Sequence, residues 1–272
     1  PSHPELLDWL ATEFVATGWD QKAMLRLMVG SATYRQASNC STELLAQDPE
    51  NRLLARGPSF RLAAELIRDQ ALAVSGLLNT KLGGPSVRPY QPKGLWREMS
   101  HFGSTPATEQ VYVQDSGDKL YRRSLYTIWK RTVPPPTMLA FDAPSRELCT
   151  PRRGRTNTPL QALVLLNETG FVEAARHMGQ RILQEGGDYL ASRIDFGFEL
   201  ATSRKPTSAE RDVLMATFTR EHSRFATDRE AAAKLLAIGE APRDEQLDSA
   251  EHAAWTMVAS VLLNLSETVT KG

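Results

Sequence analysis

The sequence predicts an all-α, multihelical domain that carries a long irregular insertion rich in proline and glycine, with room for a few short strands. Three observations favour this fold class. Apolar residues recur at helical spacing over most of the chain, capping signals precede several of these segments, and residues 83–118 have no helical period. At 41% hydrophobic residues the chain can bury a sizeable core, and we expect residues 1–272 to form a single domain.

The first helices follow from the spacing of apolar residues. They repeat at helical intervals from Leu6 to Val15, and Gly18 ends this segment. Asp20 is suited to cap a second helix, because a carboxylate accepts hydrogen bonds from the free N–H groups of a first turn. Residues 59–78 give the clearest amphipathic pattern, with apolar residues on one face and charged residues on the other.

Residues 83–118 interrupt this helical pattern. Their motif GGPSVRPYQPKG breaks both helices and sheet ladders. A long irregular excursion inside a compact domain is uncommon and is often functional. We expect a short strand near residues 109–114, where Val111 and Val113 alternate with polar residues.

The polar segment that follows, residues 121–166, is the most informative part of the chain. A helix is predicted over residues 118–131, with Leu125 and Trp129 facing inward, and prolines 134–136 predict an extended stretch. A new helix then begins with Thr158 as the N-cap, and the leucines that follow are expected to be buried.

Two capping boxes mark helix starts in the second half of the chain. Thr158 and Gln161 form a T-x-x-Q box with proline at the first helical position, and Thr207 and Glu210 form a second box. Further apolar repeats predict helices up to residue 265.

Composition excludes several classes of partner. The chain has 32 basic and 32 acidic residues, so its formal net charge is zero and we expect no nucleic-acid partner. No apolar run approaches the roughly 20 residues of a spanning helix, so we expect no membrane span. Cys40 and Cys149 could form one long-range disulfide or two separate thiols.

Motifs for metals and cofactors are also missing from the sequence. It contains no C-x-x-C-H, H-E-x-x-H, P-loop, G-x-G-x-x-G or G-x-S-x-G pattern. We therefore predict no metal site and no cofactor held by this chain. The histidines lack metal-ligand spacing; they are His3, His101, His177, His222 and His252.

An anion site is the first functional candidate. Arg152, Arg153, Arg155 and Asn157 lie just upstream of the helix that begins at Thr158. A helix N-terminus offers free N–H groups and a positive dipole, and guanidinium groups are planar donors suited to carboxylate, sulfate or phosphate. The alternative is that these arginines pair with carboxylates and hold the loop in place.

Two carboxylates in the same segment are candidates for catalysis. Asp142 and Glu147 could act as general acid and base, or as nucleophile and acid, in glycoside chemistry. The alternative is that they form salt bridges with Arg146 and Arg152, and Glu168 is a further partner for the arginines. Weaker candidates in the insertion are Asp115 and Glu98 with His101.

Aromatic residues of the insertion could stack on sugar rings, because loops often carry binding sites. The alternative is that they anchor the insertion to the helical core. These residues are Tyr90, Trp96, Phe102 and Tyr112, of which Trp96 and Tyr112 are the preferred ligand-binding candidates.

Long motifs across the chain resemble the planctomycete-associated family known as domain of unknown function 1553. They include GWDQKAMLRLMVGSATYRQAS, NRLLARGPSFRLAAELIRDQALAVSGLL, YRRSLYTIWKRTVPPPTMLAFDAPSRELC and RRGRTNTPLQALVLLNETGFVEAA. The resemblance covers nearly the whole chain. The end departs from the family pattern, since NLSETVT places Ser266 where an acidic residue is expected.

The resemblance implies a setting but no reaction. In that family the domain usually ends a long exported protein, behind a cytochrome-c-like module and a companion domain. It thus implies a periplasmic, cell-surface or secreted location, with any haem held upstream and the upstream domains of the same polypeptide as partners.

Three hypotheses about function follow. The leading one is a docking or binding domain, whose ligand is an anionic or glycan polymer at the Arg152–Thr158 surface or the upstream modules. The second is a hydrolase that acts on a polysaccharide with Asp142 and Glu147. The third is a structural partner of a cytochrome-c-like domain, for which an exposed apolar patch is expected near Tyr126, Trp129 and the proline triplet.

Overall fold

A computed structural model describes residues 1–99 and 111–271. This part of the chain forms thirteen α-helices and one two-stranded sheet, which confirms the all-α fold class with a few short strands. The chain divides into two compact units. We call residues 1–61, together with the C-terminal strand, the N-terminal unit, and residues 62–269 the helical unit. The single-domain organisation stays a prediction.

The N-terminal unit consists of three short helices and the two-stranded sheet. The carboxylate of Asp20 caps the second helix, as predicted, by accepting hydrogen bonds from the N–H groups of Lys22 and Ala23. The two strands are antiparallel, with Phe60 opposite Lys271. The elements are α1 (Pro4–Ala16), α2 (Gln21–Gly30), α3 (Thr42–Gln47), β1 (Phe60–Arg61) and β2 (Thr270–Lys271).

A polar turn, rather than an apolar core, orders the N-terminal unit. The buried carboxylate of Asp48 accepts hydrogen bonds from the backbone N–H groups of Arg52 and Leu53, each at 2.8 Å. The guanidinium of Arg56 donates to the carbonyl oxygens of Asp48 and Pro49. None of α1, α2 and α3 contains a buried residue.

The helical unit holds the hydrophobic core, and its two ends meet where the N–H of Leu62 donates to the carbonyl oxygen of Val269 at 2.9 Å. Its helices are α4 (Ala64–Val74), α5 (Leu95–Met99), α6 (Pro136–Ala140), α7 (Pro159–Asn167), α8 (Thr169–Glu185), α9 (Leu190–Thr202), α10 (Ser208–Thr227), α11 (Arg229–Leu236), α12 (Ser249–Leu263) and α13 (Ser266–Val269). Two 3-10 turns cover Gly117–Tyr121 and Ser124–Tyr126.

The centre of the helical unit is the packing of α8 against α12. Met178 and Ile182 on α8 and Trp255 on α12 are fully excluded from solvent. Gly179 allows the helices to approach closely, because a Cβ at this position would lie 2.9 Å from the backbone nitrogen of Thr256. The helical period therefore predicts the core-forming elements correctly.

The predicted helix over residues 118–131 is wrong. The backbone instead forms the two 3-10 turns, and Leu125 is 70% exposed. The reason is that its backbone groups bond to distant segments: the carbonyl oxygen of Tyr121 accepts from Asn79, and Val87 bonds to both Tyr126 and Ile128. These parallel bridges replace the i to i−4 ladder of a helix.

Other local predictions fail for similar reasons. Pro136 begins α6 instead of continuing an extended stretch, since proline is favoured at the first helical position. Leu160 and Leu163 are exposed, because α7 turns Leu165 and Gln161 toward the core. Residues 111–114 form no strand, and the rest of the segment predicted as a strand lies outside the described residues.

Of the capping boxes that the sequence predicts, those at Thr158 with Gln161 and at Thr207 with Glu210 are confirmed. A box at Ser2 with Glu5 is also predicted and is wrong, because His3 is the N-cap of α1 and no side chain forms a cap hydrogen bond there. Across the described residues, none of the helices combines the length and the apolar character that crossing a membrane requires.

Candidate functional site

The loop that carries the predicted carboxylates is closed by Asp142. Its backbone is left-handed, with φ of 58°. Its carboxylate accepts hydrogen bonds from the backbone N–H of Thr156 at 2.7 Å and from the Thr156 hydroxyl at 3.0 Å. Gln161 extends the connection by donating to the carbonyl oxygens of Thr156 and Ala140. Glu147, by contrast, is exposed. Asp142 thus has a structural task, and a catalytic role for the two carboxylates stays a prediction.

The three arginines of the predicted anion site, Arg152, Arg153 and Arg155, are all exposed, but their contacts with other residues differ. Arg153 donates to the Glu65 carboxylate at 2.7 Å, and so it pairs with α4 rather than with Asp142, Glu147 or Glu168. Burial raises the pKa of Glu65, but the hydrogen bond and charge of Arg153 outweigh it, and the pKa of Glu65 is lowered. Within the described part of the chain Arg152 forms no ion pair.

The N-terminus of α7 satisfies much of its own hydrogen bonding. The Thr158 side chain accepts from the N–H of Gln161, and the Gln161 side chain accepts from the N–H of Thr158. Pro159 has no N–H group to offer. Asn157 is exposed beside this cap. An anion here would therefore rely mainly on guanidinium groups, and the site stays a prediction.

The aromatic residues of the insertion pack against one another. Trp96 is only 3% exposed, and its ring meets that of Tyr112 in a T-shaped contact with centroids 5.1 Å apart. The indole N–H donates to the Gln91 side chain, and the Tyr112 hydroxyl donates to the carbonyl oxygen of Pro89. The ammonium of Lys130 lies 4.6 Å from the Trp96 ring centroid. These contacts anchor the insertion, and binding of a ligand by Trp96 or Tyr112 stays a prediction.

The weaker candidates of the insertion lie apart. Asp115 accepts a hydrogen bond from the backbone N–H of Arg88, and Glu98 is exposed. His101 and Phe102 lie outside the described residues.

The exposed apolar patch that was expected near Tyr126, Trp129 and the proline triplet is not found there. Tyr126 and Trp129 are half-buried, and Pro135 is buried. The indole N–H of Trp129 donates to the Ser145 carbonyl oxygen, with the Arg146 guanidinium over its ring. The large exposed apolar residues of α1 and α2 belong instead to the N-terminal unit; they are Leu6, Leu7, Trp9, Val15, Leu25, Leu27, Met28 and Val29.

A cleft that sequence reasoning missed lies in the helical unit. The proline-rich insertion contributes Pro89 and Tyr90 to its wall, the proline triplet contributes Pro135 and Pro136, and the α7–α8 turn contributes Glu168. This cleft adjoins a smaller cavity, and the two share Arg68, Tyr90, Glu168 and Gly170 in their walls. Parts of the insertion and of the proline triplet therefore line the same cleft.

Two charged residues, Arg68 and Glu168, line both cavities. The guanidinium of Arg68 donates to the carbonyl oxygens of Leu120 and Arg122 and to the Ser124 hydroxyl. Glu168 caps α8 by accepting from the N–H groups of Gly170 and Phe171. Burial raises the pKa of Glu168, although these hydrogen bonds act in the opposite direction.

Glu173 forms the floor of the smaller cavity. It is completely buried, and its Oε1 accepts hydrogen bonds from the Tyr121 hydroxyl at 2.9 Å and from the N–H of Ala241 at 2.7 Å. Arg176 donates to the Ala241 carbonyl oxygen and lies 3.6 Å from the same carboxylate oxygen. Burial, together with the charge of Glu173, raises the pKa of Tyr90 to about 12.

We call the polar face of α8 and residues 239–244 the loop clamp. The N–H of Asp244 donates to the side chain of Gln180, and Gln184 donates to the Asp244 carboxylate. Burial, and next the charge of Arg176, lowers the pKa of His177 to about 4. Burial also lowers the pKa of His252. The loop clamp thus holds residues 239–244 against α8 through hydrogen bonds to Glu173, Arg176, Gln180 and Gln184.

The only sequence signal for the loop clamp is the spacing of polar residues on one face of α8. Glu173, Arg176, His177, Gln180 and Gln184 recur at intervals of three or four, as the apolar residues of a buried stripe would. In the described residues no three His, Cys, Asp or Glu side chains form a group suited to a metal ion. Cys40 and Cys149 are exposed free thiols.

Comparison with known proteins places the chain in a family. No curated protein and no solved structure matches it. The family model PSD1, described as a protein of unknown function (DUF1553), matches residues 1–218. Because this match spans most of the 272 residues, the chain belongs to the DUF1553 family.

Proposed function

We propose that this chain is a docking domain, and that the N-terminal unit binds an apolar surface of another module of the same polypeptide. One observation carries the proposal. Eight of the eleven large apolar side chains of α1 and α2 are each between 38% and 56% exposed, and neither helix has a buried residue. An exposed apolar surface of this extent is typical of an interaction site.

The length of the two helices supports the same conclusion. They contain 13 and 10 residues, and isolated helices shorter than about 12–15 residues are marginal in water. Most helices in proteins are stabilised by burial of an apolar face, whereas among the described residues no side chain of these two helices is fully buried. Full burial of a leucine or methionine side chain contributes about 1.5–3 kcal/mol, so a partner that covers several of them would stabilise the unit strongly.

The proposed partner is the upstream part of an exported polypeptide, as the resemblance implies. A cytochrome-c-like module there would hold the haem, while this chain would contribute attachment and no cofactor. The neutral net charge is consistent with a contact that relies on apolar burial rather than on electrostatic attraction.

The test compares two triple variants of the same chemistry. Leu7→Gln, Trp9→Gln and Leu25→Gln change the N-terminal unit, whereas Leu82→Gln, Leu125→Gln and Leu148→Gln change exposed residues of the helical unit. Isothermal titration calorimetry would use the separately produced upstream segment as titrant. We expect the first variant to weaken binding at least about tenfold and the second to leave it unchanged. Equal binding by both variants, or no binding by the parent chain, would refute the proposal.

Binding of an anionic or glycan ligand is the second candidate, and the exposed, unpaired Arg152 is the observation that favours it. A polysaccharide hydrolase has less support. Asp142 would first have to release the Thr156 N–H and hydroxyl before it could act on a substrate.

A further inference from the structure

Arg68 and Glu168 face the cleft without pairing with each other. Both side chains line the cleft and the smaller cavity beside it. Burial lowers the pKa of Arg68, and the charge of Glu168 acts in the opposite direction, so the two charges are close enough to interact. In the described part of the chain they nevertheless form no ion pair, which would require a nitrogen and an oxygen within 4.0 Å. A group bound between them could therefore contact both.

Each of these side chains keeps one polar atom for such a group. A guanidinium has five N–H groups, and the terminal nitrogens of Arg68 donate to Leu120, Arg122 and Ser124. Among the described residues the Nε–H of Arg68 has no partner, and this atom is not excluded from solvent. Glu168 uses Oε2 to cap α8, whereas its Oε1 likewise has no donor there and is not excluded from solvent. The site thus offers one donor and one acceptor.

The free side of Gly170 opens toward Oε1 of Glu168. This glycine also lines the cleft, and a Cβ built on it would lie 3.7 Å from Oε1 and 3.6 Å from Cδ2 of Tyr90. The cleft is narrow, since about 30 Å³ of it admits a group the size of water, which is room for about two or three such groups. A small planar group with an apolar end fits this space. The apolar part of the wall consists of Ala64, Pro89, Pro135, Pro136 and Met138.

We propose that this cleft binds a pendant acetamido group, whose carbonyl oxygen accepts from the Nε–H of Arg68 and whose N–H donates to Oε1 of Glu168. A neutral group is favoured over an ion, because any ion would meet a like charge on one of these two side chains. The methyl group of the acetamide contacts the apolar wall. A pendant amide can enter a narrow cleft end-on, whereas an amide within a polymer backbone has chain on both sides.

The titration of Glu168 supports this assignment. Burial raises its pKa, although the N–H groups of Gly170 and Phe171 and the charge of Arg68 act in the opposite direction. The ionised carboxylate is therefore short of donors, and the amide N–H supplies one. An acetamido group can come from an N-acetylated sugar or from an acetylated lysine side chain. The site does not involve the N-terminal unit, so this proposal and the docking proposal can fail separately.

Saturation-transfer difference NMR tests the site with two probes, N-acetylglucosamine and Nε-acetyl-lysine. Glucose and lysine lack the acetamido group and are the matched controls. We expect saturation of the acetyl methyl protons of at least one probe, with a millimolar Kd because few atoms are buried, and no saturation of either control. The probe that binds identifies the source of the group. Absence of binding by both probes, or equal binding by the controls, would overturn the proposal.

A glycine variant tests the position of the site. Gly170→Ala adds a methyl group to the wall, 3.1 Å from Oε2 of Glu168, whereas nothing lies within 4 Å of a Cβ built on Gly30. Both glycines belong to helices, so Gly30→Ala is the matched control. Gly170→Ala should weaken probe binding at least about fivefold, and Gly30→Ala should leave it unchanged. Unchanged binding by a folded Gly170→Ala protein would contradict the assigned position.

Acidification of the parent chain gives a further test that needs no variant. The amide N–H is bound by ionised Glu168, whose charged neighbours are Arg68 and Glu173. Probe affinity should therefore be constant well above the pKa of Glu168 and fall as the pH drops through it. An affinity that stays constant down to about pH 4, near the ordinary pKa of a glutamate, would show that Glu168 does not hold the amide.

Discussion

Replacing Gly239 by alanine should destabilise the protein by about 3–7 kcal/mol, far more than the same change at another left-handed glycine. Gly239 has φ of 92°, and a Cβ built there would overlap the carboxylate of Glu173. Glu173 is completely buried and cannot move aside without losing its own hydrogen bonds. The loop must therefore lift away from α8.

The magnitude follows from the contacts that would be lost. An alanine forced to positive φ costs about 1 kcal/mol. Lifting the loop breaks the bond from the Ala241 N–H to Glu173 and the bond from Arg176 to the Ala241 carbonyl oxygen. Each buried group left unpaired costs about 1–3 kcal/mol, which gives the predicted total.

Gly83 provides the matched control. Its φ is 74°, and nothing lies within 4 Å of a Cβ built on it. Gly83→Ala should therefore cost only the conformational term of about 1 kcal/mol. The assay is urea unfolding followed by circular dichroism, with the two variants and the parent at the same pH. Equal destabilisation by both variants would show that the loop is not held against Glu173 as described.

The remaining predictions concern pH and anions. The pKa of His177 is lowered from 6.5 to about 4. Between these pH values the unfolded chain therefore binds more protons at this residue than the folded protein does. The contribution of His177 to the free energy of unfolding should be constant above pH 7 and fall as the pH drops from 6.5 to 4. The loss should be on the order of 2 kcal/mol and smaller in His177→Gln, and parallel pH profiles for the two proteins would contradict it. Arg152→Ala should weaken sulfate binding several-fold, measured by calorimetry, while Arg131→Ala serves as an exposed control; equal affinities would count against the anion site.

The sequence predicts correctly those features whose interacting residues are close together in the chain. The boxes at Thr158 and Thr207 involve residues three positions apart, so the sequence contains both partners of each hydrogen bond. The helix predicted over residues 118–131 failed because its backbone partners, at Asn79 and Val87, lie about 40 residues away and cannot be read from local spacing.

Candidate site residues, too, are predictable from the sequence only when their partners are close to them in the chain. Arg152 and Asp142 were found because they are neighbours in a conspicuous segment, yet Arg153 pairs with Glu65 on a distant helix. Glu173 was missed because its partners, Tyr121 and Ala241, lie far from it in sequence. A polar stripe on an otherwise buried helix was the one available signal. The sequence does not show that residues 239–244 pack against this stripe, and the role of the stripe follows from that contact.

The hydrogen bond between Leu62 and Val269 brings the two ends of the segment 62–269 next to each other. A segment of this kind can be excised, or reclosed by a short linker and opened elsewhere, without stretching its own backbone. The β1–β2 pair closes the N-terminal unit around the same point of the chain. The N-terminal unit and the helical unit could thus be exchanged independently in engineered chains.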